Sequence, residues 1–131
     1  MTMAVELKLL GVAVIIGFVQ LLWAAAASRR QQGLKWAGGP RDEPSPVTGS
    51  AARLNRSFAN FMETFPLFAA AVVAAYLAAK LGPLTQWGAG LYVVSRALHP
   101  IAYVIEVPYL RSLVWFVGLC GALAVTSAIF L

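Results

Sequence analysis

Arg53, Arg56, Asn60 and Glu63 recur at positions i, i+3, i+7 and i+10 of the stretch "RLNRSFANFMETFPLF". Arg96, His99, Tyr103 and Glu106 repeat that spacing further along the chain. At 3.6 residues per turn, each set falls on one stripe of a helix. A planar guanidinium fork pairs with carboxylates, a glutamate with an ammonium group, and an asparagine amide with peptide groups. Such side chains suit a small zwitterionic or anionic polar ligand, and a tripeptide meets all three demands. His99 is a candidate contact because it shares the second stripe, although a lone histidine in a helical bundle is equally well explained as a hydrogen-bonded packing residue. Arg53 and Glu106 lie near expected helix ends, where a snorkelling or ion-pairing role accounts for them.

Arg96 demands more. It lies ten residues before Glu106, which at helical rise is about 15 Å further from the helix end. A charge at that depth in a bilayer costs a few kcal/mol or more unless it is paired or hydrated, so Arg96 argues for a polar pocket. Glu63 is its expected partner, in the same subunit or a neighbour. The spacing of ligand types offers no metal site: the single cysteine, Cys120, sits within the apolar run "WFVGLCGALAV" and reads as a small buried hydrophobe.

The elements that must position these residues are membrane helices. Of 131 residues, 60% are hydrophobic and 11% charged, and the mean hydropathy is +0.77, values of an integral membrane protein with one domain spanning 1–131. The net charge of +5 does not indicate a nucleic-acid partner, because the basic residues flank apolar spans instead of forming a soluble, aromatic-interleaved face. Residues 9–27 form a first span interrupted by Gln20. A cleavable signal peptide is the rival reading of this segment, but the apolar run is long for one and Glu6 spoils a basic leading region. Helices are expected at about 6–28, 51–80, 84–107 and 109–131, with a polar loop over 29–50 rich in Gly, Pro and charge. Thr48 or Ser50 is an expected cap of the second helix and Thr85 of the third, Pro83 marks the start of the third, and Pro100 is expected to kink it. The fold class is all-α: an antiparallel four-helix transmembrane bundle.

Beyond the stripes, the residues resemble the MAPEG family, the membrane-associated proteins in eicosanoid and glutathione metabolism. Its second helix carries Arg, three residues, Asn, two residues, Glu, then an aromatic and Pro, a pattern filled here by Arg56, Asn60, Glu63, Phe65 and Pro66. The likeness extends through "SRR" after the first helix, "RALHPIAY" in the third and "VPYLRSLVW" opening the fourth, and so covers essentially the whole chain. It implies a homotrimer binding glutathione as co-substrate between subunits near the cytoplasmic face. By that likeness Arg56, Asn60 and Glu63 hold the peptide, Arg96, Tyr103 and Arg30 assist, and Arg111 stabilises the thiolate. The chain departs from the pattern where eicosanoid-metabolising members carry Gln or His two residues after the helix-two arginine, and where a leukotriene-forming relative has Tyr after the glutamate. Phe58 and Thr64 stand there, and each removes a polar contact to the thiol ligand.

Two functions follow as expectations. The first is a glutathione-dependent transferase or peroxidase acting on lipophilic small molecules that partition into the bilayer, with Arg111 and Tyr103 as catalytic residues. The second is a non-enzymatic lipid-binding or accessory subunit of a larger membrane complex. A small drug exporter is disfavoured, since it would want an acid within the first span and Glu6 lies outside it. Basic residues set the orientation: Arg29, Arg30, Lys35, Arg41, Arg53, Arg56 and Arg111 fall on one side, and only Lys8 and Lys80 on the other. The positive-inside rule makes the crowded side cytoplasmic and puts both termini in the periplasm of a bacterial inner membrane. A cysteine introduced within 35–45 should therefore react with an impermeant thiol reagent only from the cytoplasmic side, and one at Leu131 only from the periplasmic side; the reverse pattern would put the site on the wrong face.

Overall fold

The computed structural model describes residues 2–131. Among them are five helices and no strand: α1 (Val5–Gln32), α2 (Leu34–Gly38), α3 (Gly49–Leu77), α4 (Pro83–Val104) and α5 (Leu110–Phe130). α1, α3 and α5 are long and apolar enough to cross a membrane. Large apolar side chains cover their outer faces, with Phe18, Leu22, Leu67 and Leu113 each more than 60% exposed, as lipid contact requires. The chain is an integral membrane protein.

α4 has the length to span, but Gln86, Arg96 and His99 interrupt its apolar sequence. It is the most enclosed of the long helices, with 10 of its 22 residues buried against 8 of 29 in α3. Its core partners are Phe68, Val72 and Ala75 of α3, Ala13 of α1 and Val125 of α5, none of them measurably exposed. Tyr92 stacks on Phe68 with ring centroids 4.0 Å apart, and its hydroxyl shares a hydrogen bond of 2.9 Å with Thr64.

The α4–α5 contact is made by glycine. A Cβ on Gly88 would lie 2.7 Å from the Gly121 carbonyl oxygen, and one on Gly118 would lie 2.6 Å from Ser95 Oγ. The two backbones touch because neither helix carries a side chain there, the packing on which helices without a water-driven hydrophobic effect rely. Ser95 adds a hydrogen bond from its hydroxyl to the Val114 carbonyl.

Helix ends depart from the sequence-based expectation in instructive ways. α1 continues through Gln32 because "SRRQQ" favours helix, and it stops where Gly33 takes φ +84°, a left-handed value that glycine adopts without strain. The expected loop is partly structured: Gln31 exchanges hydrogen bonds of 2.9 Å with the backbone of Thr48, Gln32 donates to Ser45 O at 2.7 Å, and Trp36 of α2 donates to Glu43 O at 2.7 Å. Thr48 occupies the position before α3, yet its hydroxyl caps nothing. α4 starts with Pro83 at its first position. Thr85 sits one turn inside rather than at the cap: Gly82 N–H donates to its hydroxyl at 2.8 Å, and the hydroxyl donates to Glu6 at 2.7 Å. Glu6, read from sequence as lying outside the first span, is in the first turn of α1 and only 2% exposed. α4 ends at Val104, short of residue 107, because the residue before Pro108 is biased away from helix and Glu106 turns left-handed at φ +61°.

The glycine contact is testable. Gly88→Val should lower stability by about 1–3 kcal/mol, the usual cost of overpacking against atoms that cannot yield. Gly90→Ala, at a site with no atom within 4 Å of the added carbon, should be neutral or mildly stabilising. Thermal unfolding of both variants in the same detergent provides the comparison, and equal melting temperatures would refute the backbone contact.

Candidate functional site

The first stripe keeps its register on α3, and α4 presents Arg96, His99 and Tyr103 against it. Glu106 leaves the second stripe because α4 has already ended. It nevertheless forms an ion pair with Arg53, so these two residues close on each other at the mouth of the site.

Arg96 is 1% exposed, and within the chain its partner is not Glu63. Its Nη1 donates to Asn60 Oδ1 at 2.7 Å and its Nη2 to Ser57 O at 3.5 Å. Its guanidinium carbon also lies 5.6 Å from the Phe61 ring centroid. Among the described residues, no carboxylate lies within 4.0 Å of it. Ser57 and Asn60 stand on the buried side of α3 facing α4, whereas Glu63 is exposed, so neutral acceptors and an aromatic face solvate this charge. Ser57 and His99 Nδ1 share a further hydrogen bond of 2.8 Å. Both are essentially inaccessible, at 0% and 1%.

These contacts orient the groups in front of them. A cavity of about 450 Å³ is lined by Arg56, Asn60 and Glu63 of α3, His99 and Tyr103 of α4, and Arg111 of α5. Because Arg96 occupies Asn60 Oδ1, the amide N–H₂ of Asn60 remains for a ligand acceptor. Tyr103 stands between two guanidiniums: Arg56 Nε donates to its hydroxyl at 3.3 Å, and Arg111 lies 4.8 Å from its ring centroid. With its oxygen accepting from Arg56, Tyr103 keeps its own hydrogen to donate. Glu63 supplies an acceptor for an ammonium group. A smaller cavity of about 260 Å³ adjoins the first through Arg56, Tyr103, Arg111 and Ser112, and the Arg53–Glu106 pair forms its outer wall.

Arg96 stands behind the cavity and acts on it through Asn60. Arg30 is exposed at the end of α1 and does not line the cavity. Sequence reasoning overlooked Ser112, Trp115 and Ala59, which complete the lining. A signal existed for Trp115, because position +4 from Arg111 shares its helix face; Ser112, at +1, has none. The indole N–H of Trp115 is buried without a partner. Ser57 was also missed, since it falls one residue off the Arg53–Arg56–Asn60–Glu63 stripe and carries no charge.

The two departures are absorbed elsewhere. Phe58 stacks with Phe61 on the side of α3 turned from the cavity, at a centroid separation of 6.4 Å. Thr64 bonds to Tyr92 and to Phe61 O.

Comparison with curated proteins and with solved structures gives no match. A family model does match, over residues 9–131, nearly the whole chain, and it includes every residue of the cavity. The chain is thus a member of the MAPEG family.

Proposed function

We propose that this protein is a membrane-embedded glutathione-dependent transferase or peroxidase acting on lipophilic electrophiles. In this reading the four long helices form an antiparallel transmembrane bundle assembled as a homotrimer, with the polar cavity near the cytoplasmic face and both termini periplasmic in a bacterial inner membrane. The observation that carries it is the convergence of Arg56, Asn60, Glu63, Tyr103 and Arg111 on one cavity. These are the groups a peptide with two carboxylates, one ammonium and a thiol would need: guanidiniums for the carboxylates, Glu63 for the ammonium, and the Asn60 amide for a peptide carbonyl. Arg30, on the outer face of α1, would reach a ligand held by a neighbouring subunit.

Arg111 and Tyr103 would act on the sulfur. A free thiol has a pKa near 8.5, so only a few per cent is thiolate at pH 7. A guanidinium beside the sulfur favours the charged form, and the Tyr103 hydroxyl can donate a hydrogen bond to it. The thiolate then gives an electron pair to the electrophilic carbon; with an aryl halide the C–S bond forms, the C–halogen bond breaks with its pair leaving on the halide, and the thiol proton has already passed to solvent. The apolar partner has a place of its own further along α3 and α5: a separate cavity of about 450 Å³ lined by Leu67, Ala74, Leu119, Leu123 and Ile129.

A second reading, a lipid-binding or accessory subunit without catalysis, draws on Phe58 and Thr64. Both are committed to contacts within the chain, so neither offers the cavity a polar group. Calorimetric titration of the purified, detergent-solubilised protein with glutathione separates the two, because the accessory reading expects no binding.

In such titrations Asn60→Ala and Glu63→Gln should each weaken glutathione binding by roughly 1–3 kcal/mol, typical of a lost buried or charge-assisted hydrogen bond; Arg53→Ala, whose partner is Glu106, should weaken it less. Affinities unchanged by either of the first two substitutions would remove the ligand from this cavity. Arg111→Ala should leave affinity within a few fold yet abolish the ultraviolet absorbance of bound thiolate, and should lower turnover of an aryl halide about tenfold or more. Its pH–rate profile should move upward toward the free-thiol value. Survival of the thiolate signal and of turnover would reduce Arg111 to a headgroup anchor.

A further inference from the structure

Gln20 is the one strongly polar side chain in the apolar run of residues 9–27. It is 3% exposed, and its Nε2 donates to the backbone carbonyl of Arg96 at 3.3 Å. There is a reason for a donor to be needed at that carbonyl. In an α-helix the carbonyl of residue 96 accepts from the N–H of residue 100, and residue 100 is a proline inside α4 with no N–H to give. In a hydrocarbon surrounding no water replaces it, so a neighbouring helix must. The side chain at 20 and the ring at 100 are therefore two halves of one arrangement, 76 residues from carbonyl to donor along the chain.

The register of this turn matters because Arg96 has little margin. Its Nε is buried without a partner, which leaves two hydrogen bonds, at 2.7 Å and 3.5 Å, and the Phe61 face to hold the guanidinium. His99, on the same turn, meets Ser57 at 2.8 Å. A displacement of the turn would loosen all three contacts together and free Asn60 to rotate. Gln20 also tolerates a buried Oε1 with no partner, so the donor end of the amide is the part in use.

We propose that Gln20 is a positioning residue: it supplies from α1 the hydrogen bond that Pro100 withholds, and so holds the Arg96–His99 turn at the depth where it orients Asn60 for the ligand. The identity of the ligand rests on the glutathione reading; the mechanics do not. A role in packing alone would be satisfied by leucine and would be indifferent to residue 100.

The test is a double-variant cycle on the full-length protein in detergent. Gln20→Leu should lower glutathione affinity about tenfold, the scale of one buried hydrogen bond. Pro100→Ala alone should stay within about threefold of the unaltered protein. In the double variant the new N–H of residue 100 can donate to the Arg96 carbonyl, so affinity should return to within about threefold of Pro100→Ala. Unchanged affinity in Gln20→Leu, or a double variant no better than it, overturns the proposal. If the unaltered protein binds no glutathione, that reading fails separately, and thermal unfolding of the same four proteins decides: Gln20→Leu should melt several degrees lower, with recovery in the double variant, and absence of recovery refutes it. Folded protein obtained from the double variant but not from Gln20→Leu counts as the same recovery, and a double variant that also fails to fold counts against it.

Discussion

A guanidinium enclosed in a membrane domain, with no carboxylate against it, sets the terms for the rest of this structure. Hydrocarbon does not solvate Arg96, so the protein must. It does so with an amide oxygen from Asn60, a backbone carbonyl from Ser57 and the face of Phe61. All three come from α3, which ties the α3–α4 interface to one height. Moving either helix by a turn would strand the charge, so the constraint fixes which residues can face the cavity in front of it.

That cavity is built from groups whose free valences are determined by what stands behind them. Asn60 presents its donors because its acceptor is taken, and Tyr103 presents its hydrogen because its oxygen is occupied by Arg56. The result is a donor-rich wall with a single carboxylate, Glu63. The same logic explains why Phe58 and Thr64 leave the arrangement undisturbed: their contacts run to Phe61 and Tyr92, away from the polar lining.

Much of this was legible from residue spacing, and the exceptions share a cause. The stripe on α3 follows from helical periodicity, and an ion-pairing role for Arg53 and Glu106 from their charge and their place near helix ends; that the two pair with each other is seen only in the fold. The partner of Arg96 did not follow, because opposite charge suggested Glu63, whereas burial selected the shorter neutral side chain facing α4. Glu106 was misassigned to a helix that Pro108 had already ended. Ser57 and Ser112 carry no charge pattern and acquire meaning only when three helices meet. Glu6 was read as peripheral because its partner, Thr85, lies 79 residues away. Such long-range side-chain pairs leave no periodic trace in a single sequence.

Where Gly88 of α4 meets Gly121 of α5, backbone rests on backbone with no flexible side chain between. Side chains at a helix interface act as compliant spacers, and here there are none, so these two helices form a single stiff lever. The seam where α3 faces that lever is of another kind, bridged in front of Arg96 by the long side chains of Arg56, Tyr103 and Arg111. The compliant spacers of the protein are thus the same side chains that line its polar cavity.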